Sequence, residues 1–334
     1  MPTIKEVSQR AHVSPSTVSR VLNGTTPVSP DARERVLRAI EELDYTPNAF
    51  ARGLATNRSG GIGVTTNDIG SPYYAVILRG VEAAIEDAGL HLMVSSGHAK
   101  ADAERSAIQF LKQRRSDALI IQAEALSDAE LIDVAKGVGV PVVVFGRRIP
   151  ELEPACVHLD NEAGGRMAAQ HLLDRGHRRI AHIAGPLRFP DARDRLQGYR
   201  DALEAAGVPY DDDLVVEGDF REGGGWAAMG RLLDRTPALD AVFVANDQMA
   251  AGAMRAARDR GLALPRDLSL VGYDDVLLAQ YVSPALSTVR QPLFDMGRAA
   301  GDIAIALLEQ RKVEVRTRFE PELVVRESVA QRAA

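Results

Sequence analysis

The sequence predicts an all-α helix-turn-helix headpiece followed by an α/β core of two doubly wound parallel-sheet lobes. Three observations carry this expectation. Residues 1–46 hold three short helical patterns around one apolar set, the chain after Gly61 alternates apolar runs of strand length with helical stretches, and that alternation occurs twice. At 334 residues the chain exceeds what a single hydrophobic core usually serves.

In the headpiece, Thr3 followed by Glu6 is a capping box, and Ile4, Val7 and Ala11 recur at helical spacing, so a first helix of about two turns stops near His12. Ser14 is the next N-cap and Pro15 takes the favoured first helical position. Val18, Val21 and Leu22 then form a stripe that ends at Asn23-Gly24. A third helix starts at Ser29-Pro30, carries Val36, Leu37, Ile40 and Leu43 on one face, and ends before Tyr45-Thr46-Pro47. The second helix, "VSPSTVSRVLNG", carries a single charge, Arg20, on a small polar face.

Residues 47–60 read as a short hinge helix and linker. "NAFARGL" can form a turn or two, but Gly53 and "ATNRSGG" weaken it, and isolated helices this short are marginal in water until a partner orders them. From residue 61 the strand-like runs are "GIGVTT", "LHLMVSS", "ALIIQ" and "PVVVF", then "IAHIAG", "LVVEGDF", "AVFVAND" and "LSLVGYDD". Strands buried on both faces and joined by helical crossovers make parallel doubly wound sheets. The expected core, 61–334, divides into one lobe of about 61–160 with 291–320 and another of about 161–290 with 321–334. Ligands of open α/β sheets bind outside the carboxyl ends of the strands, so the polar residues there, Asn67-Asp68, Gln122, Gly146-Arg147, Asn246-Asp247 and Asp274-Asp275, should meet in one crevice.

Composition narrows the function. The chain is 46% apolar and 26% charged with net charge −6, an ordinary globular balance. The charge is uneven: residues 1–58 hold eight basic and six acidic residues, leaving +2 there and −8 on the rest, which suits a small DNA-facing module on an acidic body. No run of about 18 apolar residues predicts a membrane span and "MPTIKEVSQR" has no secretory pattern, so the expected place is the cytoplasm. The lone Cys156 reads as a buried small hydrophobe, and His171, His177 and His182 share no metal-ligand spacing and read as structural. There is no G-x-S-x-G elbow, no phosphate-binding G-x-x-x-x-G-K-[ST] loop and no metal motif, so an enzyme, a metal site and a cofactor are not expected.

The stretches "TIKEVSQRAHVSPSTVSRVLNG", "VSPDARERVLRAIEELDYTPNAFARGL", "HLLDRGHRRIAHIAG", "RLQGYRDAL", "ANDQMAAGAM" and "LSLVGYDD" together resemble the LacI/GalR family of bacterial transcriptional regulators, over essentially the whole chain. "FGRRIPELEPACVHLD" and "YDDVLLAQYVSPALSTVRQP" are most similar to its galactose-repressor-type members. The resemblance implies a core of periplasmic-binding-protein type, a hinge helix that orders on operator DNA, and a recognition helix in the major groove. On that placement Pro15, Ser16 and Arg20 face base edges. Pro15 offers only apolar contact, while Arg20 can hold a guanine through O6 and N7. Thr17 and Asn23, with Ser14, Ser19 and Lys5, would position the module on phosphates. Leu54 matches the leucine that the family wedges into the minor groove, which on two subunits implies a near-palindromic operator and a homodimer. The ending "ELVVRESVAQRAA" has no leucine heptad, which favours a dimer over a tetramer.

The resemblance also implies an effector crevice lined by Ser71, Tyr73, Tyr74, Gln122, Arg147, Arg195, Phe220, Asn246, Asp274 and Gln291, with Asp191 and Trp226 close to these motifs. Acids and amides accept from hydroxyls, arginines donate to them, and aromatic rings cover an apolar face, so the expected effector is a hexose or related sugar. Gly146 stands where many sugar-binding relatives carry an acid or asparagine, which removes one hydroxyl acceptor. The expected function is therefore a sugar-controlled repressor. The alternatives are the same regulator with a purine-like corepressor and a sugar-binding transport protein; the headpiece opposes the latter.

Overall fold

The computed structural model describes residues 2–23, 27–45, 59–236 and 238–332. The chain divides into two compact units, Met1–Gly60 and Gly61–Ala334.

The first unit holds α1 (Ile4–Arg10), α2 (Pro15–Asn23) and α3 (Pro30–Glu42). Thr3 and Glu6 close the capping box: the Glu6 amide donates to Thr3 Oγ1 at 3.3 Å and the Thr3 amide donates to Glu6 Oε2 at 2.6 Å. His12 takes φ 50° in the tight turn between α1 and α2, a left-handed conformation compatible with a short polar connection. Val7, Ala11, Val18, Val36 and Ala39 form the small buried core. Arg10 pairs with Glu42 at 2.6 Å and Arg35 donates to Ala11 O at 3.3 Å, which tie α1 and its C-terminal end to α3. The expected hinge helix, with Leu54, lies outside the described residues.

The second unit contains two six-stranded sheets. In chain order its elements are β1 (Gly61–Thr66), α4 (Pro72–Glu86), β2 (His91–Ser96), α5 (Ala101–Gln113), β3 (Ala118–Ile121), α6 (Asp128–Gly137), β4 (Val142–Phe145) and β5 (Cys156–Leu159). There follow α7 (Asn161–Asp174), β6 (Ile180–Ala184), α8 (Pro190–Ala205), β7 (Val215–Glu217), α9 (Glu222–Arg235), β8 (Ala241–Val244), α10 (Asp247–Asp259) and β9 (Ser269–Asp274). The last are α11 (Leu278–Tyr281), β10 (Ser287–Arg290), α12 (Leu293–Leu308), β11 (Arg318–Phe319) and β12 (Glu322–Val324). The first sheet runs β11-β5-β4-β3-β1-β2 and is parallel throughout. The second runs β12-β10-β9-β8-β6-β7 and is parallel except for β12, an antiparallel edge.

All eight apolar runs read from the sequence form strands. The others, β5, β10, β11 and β12, are two to four residues long and carry polar residues inside them, too little for a periodicity signal. β11 and β12 show how the chain ends: it returns from the second sheet to the edge of the first, then adds a last strand to the second.

Helices cover the sheets in pairs whose backbones nearly touch. Gly80 and Gly297 let α4 and α12 meet, Gly165 and Gly198 do so for α7 and α8, and Gly225 and Gly252 for α9 and α10. At each site an added Cβ would strike a backbone atom of the facing helix. Gly198→Ala places a methyl against Glu162 O and the Arg166 amide, which cannot move without shifting α7. We expect this substitution to destabilise the core by about 1–3 kcal/mol, the range for overpacking, read as a lower midpoint in urea unfolding. An unchanged midpoint would show that the two helices are not held at this separation.

Candidate functional site

Two candidate recognition surfaces are present, one in each unit. In the headpiece, Ser14 Oγ accepts from the Thr17 amide at 3.1 Å, which caps α2, and shares hydrogen bonds with the hydroxyls of Ser16 at 2.7 Å and Thr17 at 2.9 Å. Val18 is fully buried, so the helix is anchored on one face, and Pro15, Ser16 and Arg20 are exposed on the other. Arg20 has no ion-pair partner among the described residues, unlike Arg10, Arg35 and Arg38, each of which pairs with a carboxylate. An α-helix of this size fits the major groove, and an unpaired guanidinium on its exposed face is available to a base edge or phosphate.

In the core, a cavity of about 490 Å³ opens at the carboxyl ends of both sheets. The first sheet contributes Asn67 and Asp68 after β1 and Gln122 after β3, with Ser71, Tyr73 and Tyr74 from the start of α4. The two tyrosine rings meet edge to face at 5.0 Å and 88°. Burial raises the pKa of both hydroxyls, which therefore stay protonated as donors. The second sheet contributes Phe220 after β7, Asn246 after β8 and Asp274 at the end of β9. Asn246 caps α10 by accepting from the Met249 amide at 2.9 Å, and its amide donates to Phe220 O at 3.0 Å, a bond that helps to hold Phe220 at φ 65°. Two polar contacts cross the cleft: Ser71 Oγ donates to Gln248 Oε1 at 2.9 Å, and Arg221 pairs with Asp68 at 2.8 Å.

Arg195 stands at the centre of the second wall, 3% exposed. It donates to Asn161 Oδ1 at 2.9 Å and Ala245 O at 2.7 Å, pairs with Asp191 at 3.3 Å, lies 4.0 Å from Asp274, and stacks on the Tyr273 ring at 3.9 Å. Asp274 accepts from Gln291 Nε2 at 2.6 Å. Burial pushes the Asp274 carboxyl up to about 7, against the opposing pull of Arg195 and the Gln291 hydrogen bond. Asp247, fully buried behind it, is also raised by burial and by Asp274, and accepts from Thr288 Oγ1 at 2.6 Å and the Val276 amide at 2.9 Å.

Of the residues expected in the crevice, the cavity brings together Ser71, Tyr73, Tyr74, Gln122, Arg195, Phe220, Asn246 and Asp274, and Asp191 with them. Three are placed elsewhere. Arg147 donates to Leu126 O at 3.0 Å and to Ala123 O and pairs with Asp128 at 3.0 Å, so its guanidinium clamps the loop after β3; it borders only a narrow recess behind the cavity. Gln291 borders the same recess and supports Asp274 from behind. Trp226 is exposed on α9 and donates to Asp259. Sequence reasoning missed Glu124, which lines both the cavity and the recess, and the outer residues His98, Arg188, Phe189, Glu217, Asp219 and Arg221. Glu124 sits two residues past a strand-end polar residue, the one signal that could have found it. His171, His177 and His182 are buried, and desolvation lowers the pKa of each, to about 3 for His182, so they remain neutral packing groups. Cys156 is buried. Among the described residues no group of three metal-ligating side chains is assembled and no helix is long and apolar enough to cross a membrane.

Residues 3–48 match the family described as bacterial regulatory proteins, lacI family, and residues 169–329 match the periplasmic binding protein-like domain. The chain is 39% identical over 331 residues to the transcriptional regulator GalR of Escherichia coli, covering 99% of this chain and 96% of that one. It is 36% identical over 333 residues to the repressor PurR of Proteus mirabilis, covering 99% and 97%. Among solved structures it superposes on the lac repressor dimer bound to operator and the anti-inducer ONPF with TM-score 0.88 at 31% identity, covering 98% and 99%. It superposes on a complex of the regulator CelR with cellobiose with TM-score 0.73 at 38% identity, covering 98% and 100%.

The raised Asp274 carboxyl has a consequence for stability. An unfolded aspartate titrates near 3.9, so between about pH 4 and about 7 the native state binds the proton that the unfolded state has lost. Stability from this group therefore falls as pH rises through that window. Asp274→Asn keeps an acceptor for Gln291 and removes the ionisation. The unfolding free energy of the variant relative to the parent should rise by about 1 kcal/mol or more from pH 4 to pH 8, measured in urea at each pH. A difference that stays constant with pH would place the Asp274 titration outside this window.

Proposed function

The chain belongs to the LacI family of bacterial regulatory proteins, and from that premise we propose that it represses sugar-metabolism genes under the control of a small sugar bound between its two lobes. That it is a DNA-binding transcriptional regulator follows from the family. The carrying observation for the rest is one chain that joins a capped recognition helix, whose exposed Arg20 has no ion-pair partner among the described residues, to a polar and aromatic cavity at the strand ends.

The sugar reading rests on the mixture in that cavity. Aromatic rings from Tyr73, Tyr74 and Phe220 lie beside the amide and carboxylate groups of Gln122, Asn246 and Asp274, the combination that binds a ring with one apolar face and many hydroxyls. Cellobiose in the CelR complex is a ligand of that kind. Binding would shift the balance between lobe arrangements, with a coupling to DNA of about 1–3 kcal/mol. The effector would leave chemically unchanged, since no nucleophile-base pair is assembled among the described cavity residues. We further read the active species as a cytoplasmic homodimer on a near-palindromic operator, as the lac repressor dimer is seen on its operator, with Leu54 as the minor-groove wedge.

A purine-like corepressor is the second reading. Its supports are the relative PurR and the near-parallel Phe189 and Phe220 rings, 6.3 Å apart at 10°. A mobility-shift titration on the DNA upstream of the protein's own gene, run with hexoses, cellobiose and purines, separates the two readings. If only a purine changes the shift, the sugar reading is wrong. On the same DNA, Arg20→Ala should weaken binding about 5- to 150-fold, the equivalent of about 1–3 kcal/mol, and relax the preference at one base pair of each half-site. Unchanged affinity and preference would remove Arg20 from base recognition.

A further inference from the structure

We propose that Glu124 is a specificity-determining residue of the effector cleft, a hydroxyl acceptor held in place by Glu104 and Arg147, and that it restricts the effector to sugars without an acidic group. This rests on the sugar reading above and names the class within it.

Glu124 is on an irregular segment, yet that segment is held on both sides. The Glu104 carboxylate, 1% exposed on α5, accepts from three successive backbone amides: Glu124 at 2.8 Å, Ala125 at 3.1 Å and Leu126 at 2.9 Å. A buried carboxylate that takes three N–H groups is a strong local restraint. Arg147 closes the other side by donating to the carbonyls of Ala123 and Leu126 and to Asp128. Neither Glu104 nor Arg147 lines the cavity itself. Their joint effect is to present Glu124 to it.

The Glu124 carboxylate is used only in part. Gln122 Nε2 donates to Oε1 at 2.6 Å, and the described residues supply no other hydrogen bond to the carboxylate. That same contact turns the Gln122 amide so that its Oε1, buried in a residue 6% exposed, has no partner. Two adjacent acceptors, Glu124 and Gln122 Oε1, therefore await donors, and sugar hydroxyls are donors of the right kind. Burial and the nearby Asp191 raise the Glu124 pKa while Arg147 opposes the rise.

The charge of the whole cavity points the same way. Six acidic side chains line it, Asp68, Glu124, Asp191, Glu217, Asp219 and Asp274, against three arginines. Of these arginines, Arg195 is consumed by Asn161, Ala245 and Asp191, Arg221 by Asp68, and Arg188 lies over the Phe189 ring at 4.4 Å. A uronic acid or sugar phosphate would enter a site with twice as many acidic side chains as arginines, where the buried guanidinium of Arg195 is already held by Asn161, Ala245 and Asp191. An uncharged sugar meets the acceptors Glu124 and Gln122 Oε1 and the donor hydroxyls of Tyr73 and Tyr74 without bringing a further negative charge.

The test is calorimetric titration of the full chain with matched probes: galactose and galacturonate, glucose and glucuronate, and cellobiose. At least one neutral probe should bind, and its acidic counterpart should bind tenfold or more weakly. Glu124→Gln should weaken the neutral probe at least fivefold and shrink the gap to the acid, with thermal melting used to check that the variant is folded. Arg147→Ala should weaken the same probe in the parent but have little further effect in the Glu124→Gln background, because a positioning residue acts through the group it positions. Equal binding of an acid and its neutral partner, or unchanged affinity in Glu124→Gln, overturns the assignment of Glu124. Additive effects of the two substitutions would mean that Arg147 meets the ligand itself and overturn its positioning role. If no sugar of either kind binds while purines do, the sugar reading fails and this inference falls with it.

Discussion

The guanidinium of Arg195 is the interaction on which the second wall of the cleft depends. Removing an arginine from water costs several kcal/mol unless its donors find acceptors inside, and here they do. Asn161 Oδ1 comes from the start of α7, Ala245 O from the end of β8, and Asp191 from the start of α8 itself. The Tyr273 ring and Asp274 add contacts from β9. One side chain thus sets the spacing of four elements at the mouth of the sheet. It can do so only because Gly165 has no side chain: a Cβ there would run into the backbone of Arg195. The glycine contact decides where α8 lies, and the arginine converts that position into a polar wall.

The first wall is organised by the opposite arrangement. There a buried acid, Glu104, gathers backbone N–H groups, and an arginine, Arg147, gathers carbonyls, so a loop without regular structure is held as firmly as a helix end. The contacts between the two walls are of a different strength. Arg221 with Asp68 is a largely exposed pair, and such pairs contribute about 0–1 kcal/mol. Ser71 with Gln248 adds a single neutral hydrogen bond. Each wall is stiff and the joint between them is soft. Under the proposed control by an effector, this contrast would let a ligand of modest affinity change the relation of the lobes without remodelling either one.

Much of this arrangement was legible in the sequence because strand runs and helix caps are local signals. "GIGVTT" or "AVFVAND" names both a strand and the polar residue at its end, and the end is where the cavity lies. What was not legible depended on which way long side chains turn. Arg147, just after β4, and Arg195, within the "DARDRLQGY" helix, both read in sequence as arginines for the crevice. One reaches back to its own lobe's loop and the other faces the ligand space, and tertiary neighbours decide between them. Glu124 belongs to no periodic element, and its placement follows from Glu104, twenty positions earlier, which carries no signal of that role. Phe220 could be named from "GDF" but not its φ of 65°, which follows from the Asn246 hydrogen bond.

The headpiece poses a different problem, because its recognition face is sparse. Ser14, Ser16 and Thr17 hydrogen-bond to one another, so their hydroxyls must exchange partners before they meet DNA, and Pro15 has no donor. Arg20 remains as the proposed strong reader, which would supply about 1–3 kcal/mol of discrimination from one bidentate contact. Specific binders exceed their own non-specific binding by about 4–10 kcal/mol. One such contact falls short of that range, and two on a near-palindromic site, about 2–6 kcal/mol, reach only its lower part. The cost of deforming DNA, which depends on sequence at positions no side chain touches, is one source that can add to it. The proposed pairing of two headpieces and the proposed wedge at Leu54, which would bend the site, are the elements that would add to so plain a reading head.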